Sequence, residues 1–128
     1  KQPKYKTIIC DLQSGIIPDD ALEGVDVVYH LSGFAHDLSN NKKFTDFYQK
    51  INVDASVQLA NLAVKSKVKK FVFVSSVKAG GIDFFGVCAT ETSQGDPEGV
   101  YGKTKREAEL KLLKIGKEFG MHVSIISP

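Results

Sequence analysis

Short, almost unbroken apolar runs punctuate this chain, and longer segments of helical period separate them. The runs cover residues 6–10, 25–31, 71–74 and 123–126, and Phe71-Val72-Phe73-Val74 is the purest. A strand wetted on one side alternates polar and apolar side chains, whereas a strand without that alternation is covered on both faces. The intervening helical segments are 18–23, stopped by Gly24, then 44–67, then 102–119, closed by Gly120. Glycine after the last helical turn is a natural C-cap. Strands alternating with helices predict βαβ units with right-handed crossovers, and hence a doubly wound, mainly parallel α/β sheet. Residues 77–100 break the rhythm, because Gly80, Gly81, Gly86, Gly95, Pro97 and Gly99 crowd into them. They read as a long irregular loop, and such loops in compact domains are usually functional.

At 128 residues and 42% hydrophobic content, the chain has room for one domain with a real core and none for a second. Seventeen basic and fifteen acidic residues leave a net charge of +2, too balanced for a nucleic-acid partner. No apolar run approaches the roughly 20 residues of a membrane span. The opening residues, with Pro3 and Lys4, lead into no signal-peptide core. A cytoplasmic setting, which the use of only two cysteines fits, is expected. Cys10 and Cys88 form no metal-ligand spacing, and Cys10, at the end of an apolar run, is expected to be buried. His30 and His36 lack a carboxylate or thiol spacing that would make them metal ligands, so no metal is expected. Lys65, Lys67, Lys69 and Lys70 suggest a solvated turn, and Asp19 and Asp20 suit a helix N-terminus.

Wound at 3.6 residues per turn, the last helix lines up Tyr101, Lys105, Ala108, Leu112, Ile115 and Phe119. Lys105 is the single charge on the face that should meet the sheet, so it must snorkel, find a partner or do chemistry. The helix 44–67 carries two apolar stripes, Phe44 to Leu62 and Val53 to Val64. One can cover the sheet; the other needs a neighbouring helix or a second copy of the chain. Tyr101 and Lys105 stand at i and i+4, on one helical face. A nearby ammonium favours phenolate, which suits Tyr101 to acid/base work on a hydroxyl or carbonyl. Ser75 and Ser76 end an apolar strand, where a parallel sheet opens its ligand crevice. Ser76 either bonds the same oxygen or satisfies local backbone.

In order, the chain shows Asp11-Leu12 after the first run, then Val27-Val28-Tyr29-His30-Leu31-Ser32-Gly33, then Asn52-Val53-Asp54-Ala55-Ser56. Val68 to Ser76, Thr90-Glu91, Pro97, and Tyr101-Gly102 with Lys105 and Glu109 follow, and Ser127-Pro128 closes the series. In this sequence of motifs the chain resembles the extended short-chain dehydrogenase/reductase family, in its NAD-dependent sugar-nucleotide epimerase/dehydratase branch. The run from Ser75 to Gly81 looks most like the members acting on UDP-glucose or UDP-N-acetylglucosamine. The resemblance implies a Rossmann-like fold and NAD as cofactor. It implies Tyr101 as acid/base, Lys105 as its tuning partner on the nicotinamide ribose, and Ser76 on the reacting oxygen. Asp11 and Leu12 would flank the adenine; Leu31, Ser32, Gly33 and Ala35 would line the dinucleotide crevice, with Asn52 nearby. Ile125 and Ile126 would approach the nicotinamide.

The implied reaction inverts a sugar hydroxyl at C4 through a transient keto intermediate. A dehydratase, an NAD(P)-dependent reductase and a non-catalytic cofactor sensor are the alternatives. A UDP-sugar substrate and a homodimer through the 44–67 and 102–119 helices are implied as partners. Ser32 stands where the family has Ala, Ser56 where it has Thr, Asp54-Ala55 where a Gly follows a variable residue, and Ser127 where Arg is common. The family's glycine-rich phosphate loop has no counterpart: Gly80-Gly81 and Gly95 to Gly102 are not set between a strand and a helix as that loop requires. The chain is thus expected to be the central part of a dinucleotide-binding domain, without the first βαβ portion and without the substrate subdomain. Alone, it is expected to be inactive and to bind NAD poorly.

Overall fold

The computed structural model of the chain describes residues 4–35, 42–81, 90–93 and 95–128. Three of the four apolar runs become strands: β1 (Val27–His30), β2 (Lys70–Val74) and β3 (His122–Ile126). They lie parallel in the order β1-β2-β3. The register sets Val28 beside Phe71 and His30 beside Phe73, and these beside Val123 and Ile125. With the two-residue period of a strand, all six side chains share one face of the sheet.

Helices α1 (Lys42–Tyr48) and α2 (Ala55–Lys65) flank a π-helical segment, Gln49–Asp54. The expected helix 44–67 is therefore one run that changes its winding midway. A short α3 (Val77–Gly80) follows β2, and α4 (Gly99–Phe119) precedes β3. The core joins Phe71 and Phe73 to Ala60 and Ala63 of α2 and to Ala108 and Leu112 of α4, all with no exposed surface. Three alanines let two helices lie close on the phenylalanines. Burying each of Phe71, Phe73 and Leu112 contributes roughly 1.5–3 kcal/mol. The opposite sheet face is different: Val27, Tyr29 and Ile126 are 39%, 68% and 49% exposed, and Val72 alone of that face is deeply buried.

Several expectations fail locally. Residues 6–10 form no strand: Ile9 is 92% exposed, and Cys10 is exposed rather than buried. Strand propensity is realised only against a neighbour that completes the backbone ladder, and none of the described strands lies beside this run. Residues 18–23 form turns, with Ala21 N–H on the Pro18 carbonyl and Glu23 N–H on the Asp20 carbonyl. The backbone closes only isolated three-residue turns there, and Gly24, left-handed at φ 72°, ends them. Asp19 and Asp20 consequently cap nothing and reach Lys65 and Lys6 at 3.4 and 3.5 Å. Phe119 ends the α4 stripe 56% exposed, because the chain reverses at Gly120, left-handed with φ 71°.

Part of the expected loop 77–100 is helical, at α3 and at the start of α4. Its Gly86 and Cys88 lie outside the described residues, as does His36. At its base the backbone is pinned: Gly95 N–H donates to the Gly80 carbonyl at 2.7 Å and Glu98 N–H to the Lys78 carbonyl at 2.9 Å. Gly81, at φ 56°, presses against Asp96, and Gly95 against Gly81, so closely that a Cβ on either would strike backbone. This neck brings the end of β2 and the start of α4 together.

Candidate active site

Lys105 is 2% exposed, on the α4 face that meets the sheet, as its place in the stripe predicts. Its Nζ donates to the Val74 carbonyl at 2.7 Å, at the end of β2, and lies 4.0 Å from the centre of the Phe73 ring. A carbonyl and a π-face compensate part of the lost hydration. Burial still pushes the ammonium down to about 8, while the Glu109 carboxylate opposes the shift. Glu109 is itself buried and lies 3.6 Å from Arg106. Tyr101 sits one turn before Lys105, half-buried, with its ring edge-on to Tyr48 at 6.4 Å.

Ser75 and Ser76 extend β2 beyond the carbonyl that holds Lys105. Ser75 N–H donates to the Ile126 carbonyl at 2.7 Å, and Val77 N–H to Pro128 at 3.2 Å, so the end of β3 runs beside Ser76. The Ser76 hydroxyl accepts from Lys78 N–H at 3.3 Å and caps α3. The buried Ser75 hydroxyl has no hydrogen-bond partner among the described residues.

The opposite wall is the turn after β1. Leu31, Ser32, Gly33 and Ala35 form an exposed ledge. Asn52, fully buried in the π-helical segment, grips it from behind: its Oδ1 accepts from Phe34 N–H at 2.7 Å and its Nδ2 donates to the Phe34 carbonyl at 3.1 Å. The same Nδ2 donates to Thr104 Oγ1 at 3.1 Å, and that hydroxyl lies 3.0 Å from the Val100 and Tyr101 carbonyls. A π turn at such a point fits the association of π segments with functional sites.

The whole chain, residues 1–128, matches the NAD dependent epimerase/dehydratase family. The chain belongs to that family. The UDP-glucose 4-epimerase of Vibrio cholerae is 35% identical to it over 109 residues, which is 84% of this chain and 33% of that protein. UDP-glucuronic acid 4-epimerase from Bacillus cereus, solved in complex with NAD, matches with a TM-score of 0.73 and 25% identity over 92% of this chain and 35% of its own. DesIV, the dTDP-glucose 4,6-dehydratase of Streptomyces venezuelae solved with NAD and TYD bound, gives a TM-score of 0.78 at 25% identity, over 91% of this chain and 35% of its own. The chain spans about a third of the length of each. The fold is accordingly Rossmann-like α/β.

As a member of an NAD-dependent family, the chain offers a fitting cradle at Gly33. A Cβ there would lie 3.5 Å from Asn52 Oδ1 and 3.8 Å from Lys105 Nζ, so a side chain would fill the space between ledge and ammonium. A bare backbone beside a cation suits a hydroxylated, partly anionic ligand. Lys105, Gly33, Asn52 and the end of β2 thus converge. Ile125, half-buried against the core, and Ile126 both border a cleft of about 780 Å³ that Val77, Thr90, Arg106 and Glu109 also line. Asp11 and Leu12 stand apart from this group: Asp11 Oδ1 accepts from Gln13 N–H in an exposed turn, and no described hydrogen bond ties either residue to the ledge. Sequence reasoning missed Thr104, Ser56 and Tyr48. Thr104 was in view inside the Tyr101–Lys105 interval, and Ser56 stands one turn after Asn52, but neither spacing reveals a partner in another element.

Proposed function

We propose that the protein containing this chain is an NAD-dependent epimerase that inverts the C4 hydroxyl of a nucleotide sugar, with a UDP-sugar as substrate. The observation that carries this reading is the buried Lys105 ammonium, one helical turn from Tyr101 and bonded to the strand end that leads into Ser76. Tyr101 takes the proton from the sugar hydroxyl as the general base. Ser76 donates a hydrogen bond to the reacting oxygen as that oxygen becomes a carbonyl. Lys105 and Gly33 hold the nicotinamide ribose; Leu31, Ser32, Ala35 and Asn52 form or brace the crevice; Ile125 and Ile126 border the nicotinamide; Asp11 and Leu12 flank the adenine. NAD, when bound, supplies reversible hydride acceptance. Tyr101 returns its proton once the keto sugar has presented its other face.

The 35% identity to a UDP-glucose 4-epimerase supports the epimerase reading. The similarity to a dTDP-glucose dehydratase supports net elimination as the second reading. In the intact enzyme, Tyr101→Phe is expected to abolish turnover while NAD binding persists; full retained activity refutes the assignment. Formation of a dehydrated keto sugar in place of the C4 epimer would move it to the second reading. Exposed Leu110, Leu113 and Phe119 on α4 support a homodimer formed through the helices of 44–67 and 102–119, in a cytoplasmic enzyme. Sedimentation of the intact protein is expected to give a dimer, which Leu110→Glu with Leu113→Glu dissociates.

A further inference from the structure

His30 lies at the end of β1, 3% exposed, with its ring against Phe71 and Phe73. Its Nε2 is 2.7 Å from Ser56 Oγ. Ser56, fully buried, is also 2.7 Å from the Asn52 carbonyl, which can only accept. A hydroxyl has one hydrogen to give. Ser56 must spend it on Asn52, so His30 must be the donor to Ser56. The neutral imidazole therefore carries its proton on Nε2. Beyond Asn52 the bonds divide, one branch clamping both polar groups of the Phe34 backbone and the other reaching Thr104 beneath Tyr101.

We infer that His30 and Ser56 are positioning residues: as an ordered chain of donors, His30 to Ser56 to Asn52, they fix the Phe34 ledge and the start of α4 relative to each other. Neither touches the space beside Lys105. Their work is to hold the Asn52 backbone in one place: Ser56 bonds the Asn52 backbone carbonyl, the side-chain carboxamide of the same residue reaches Phe34 and Thr104, and a shift of that backbone breaks buried bonds at both ends. That the positioned wall serves a cofactor rests on the function proposed above; the chain of donors does not.

The test uses the full chain without nucleotide. Long-range ¹⁵N NMR of His30 is expected to show a protonated Nε2 and a bare Nδ1; the reverse tautomer overturns the inference. Ser56→Ala is expected to speed hydrogen exchange at the Phe34 amide by roughly tenfold more than at the β2 amides, the scale of one buried hydrogen bond. Ser56→Thr, which keeps the hydroxyl, is expected to restore Phe34. A purely structural role would loosen Phe34 and β2 alike, and that outcome, or a failure of Thr to restore, rejects positioning. Where Ser56→Ala does not fold, His30→Phe gives the same comparison, since it keeps a ring beside Phe71 and Phe73 but has no donor. Because no cofactor is present, a lack of NAD binding or turnover in the intact enzyme would count against the proposed function and leave these readouts unchanged.

Discussion

Lys105 and His30 are two titratable groups buried behind the same strand ends, and each is held away from its usual range. Burial, and then the Lys105 charge, press His30 from 6.5 down to about 4, so the folded protein keeps it neutral. Between those values the unfolded chain binds the proton that the folded one refuses, so stability rises with pH there. The contribution is complete above about 6.5 and is lost as pH falls toward 4. Urea denaturation at successive pH values is expected to show this slope, reduced in His30→Phe. Lys105 has the matching behaviour at the other end: its ammonium persists in the fold only below about 8. In the intact enzyme the turnover that depends on that charge is expected to decline as pH passes about 8. Lys105→Met is expected to lower kcat by about 10²–10⁴, the range for loss of acid/base assistance, and to abolish this limb.

Helix α4 carries both Tyr101 and Lys105, and glycine sets how closely it can seat. A methyl at Gly102 would run into the Lys78 carbonyl of α3. Gly102→Ala is therefore expected to cost about 1–3 kcal/mol by overpacking and, by lifting the start of α4, to reduce kcat further than stability alone would explain. At the end of α2 the position is reversed. Lys67 adopts φ 58° in a Schellman turn, with Lys67 N–H on the Val64 carbonyl and Val68 N–H on the Ala63 carbonyl. A side chain gains nothing in that left-handed site, so Lys67→Gly is expected to stabilise by about 1 kcal/mol in thermal melts. Periodicity placed α4 and buried Lys105 because both follow from which residues recur every three to four positions. The π-helical segment left no such trace: its winding is settled by Asn52 meeting Phe34 and Thr104, residues far off in sequence. The run at 6–10 misled because a strand is a property of two segments, and its own residues report only one.

At the scale of the molecule, the sheet is covered on one face and largely bare on the other, where Tyr29 and Val27 stand exposed. An apolar face of that kind is a site of association. This chain is expected to enhance the fluorescence of a hydrophobic dye under native conditions, and Tyr29→Lys is expected to reduce the effect without lowering the midpoint of thermal unfolding. The motifs and periodicity made the α/β class and the burial of Lys105 legible, since both depend on local order. The expectation that the strands are covered on both faces fails among the described residues, because cover depends on what lies beside the sheet and not on the run itself. The crossing of Gly81 and Gly95 against Asp96 has a consequence of another kind. It works as a staple: the backbone just after α3 is fastened to the backbone just before α4, so a Cβ added at Gly81 or Gly95 is expected to shift Ser76 relative to Tyr101.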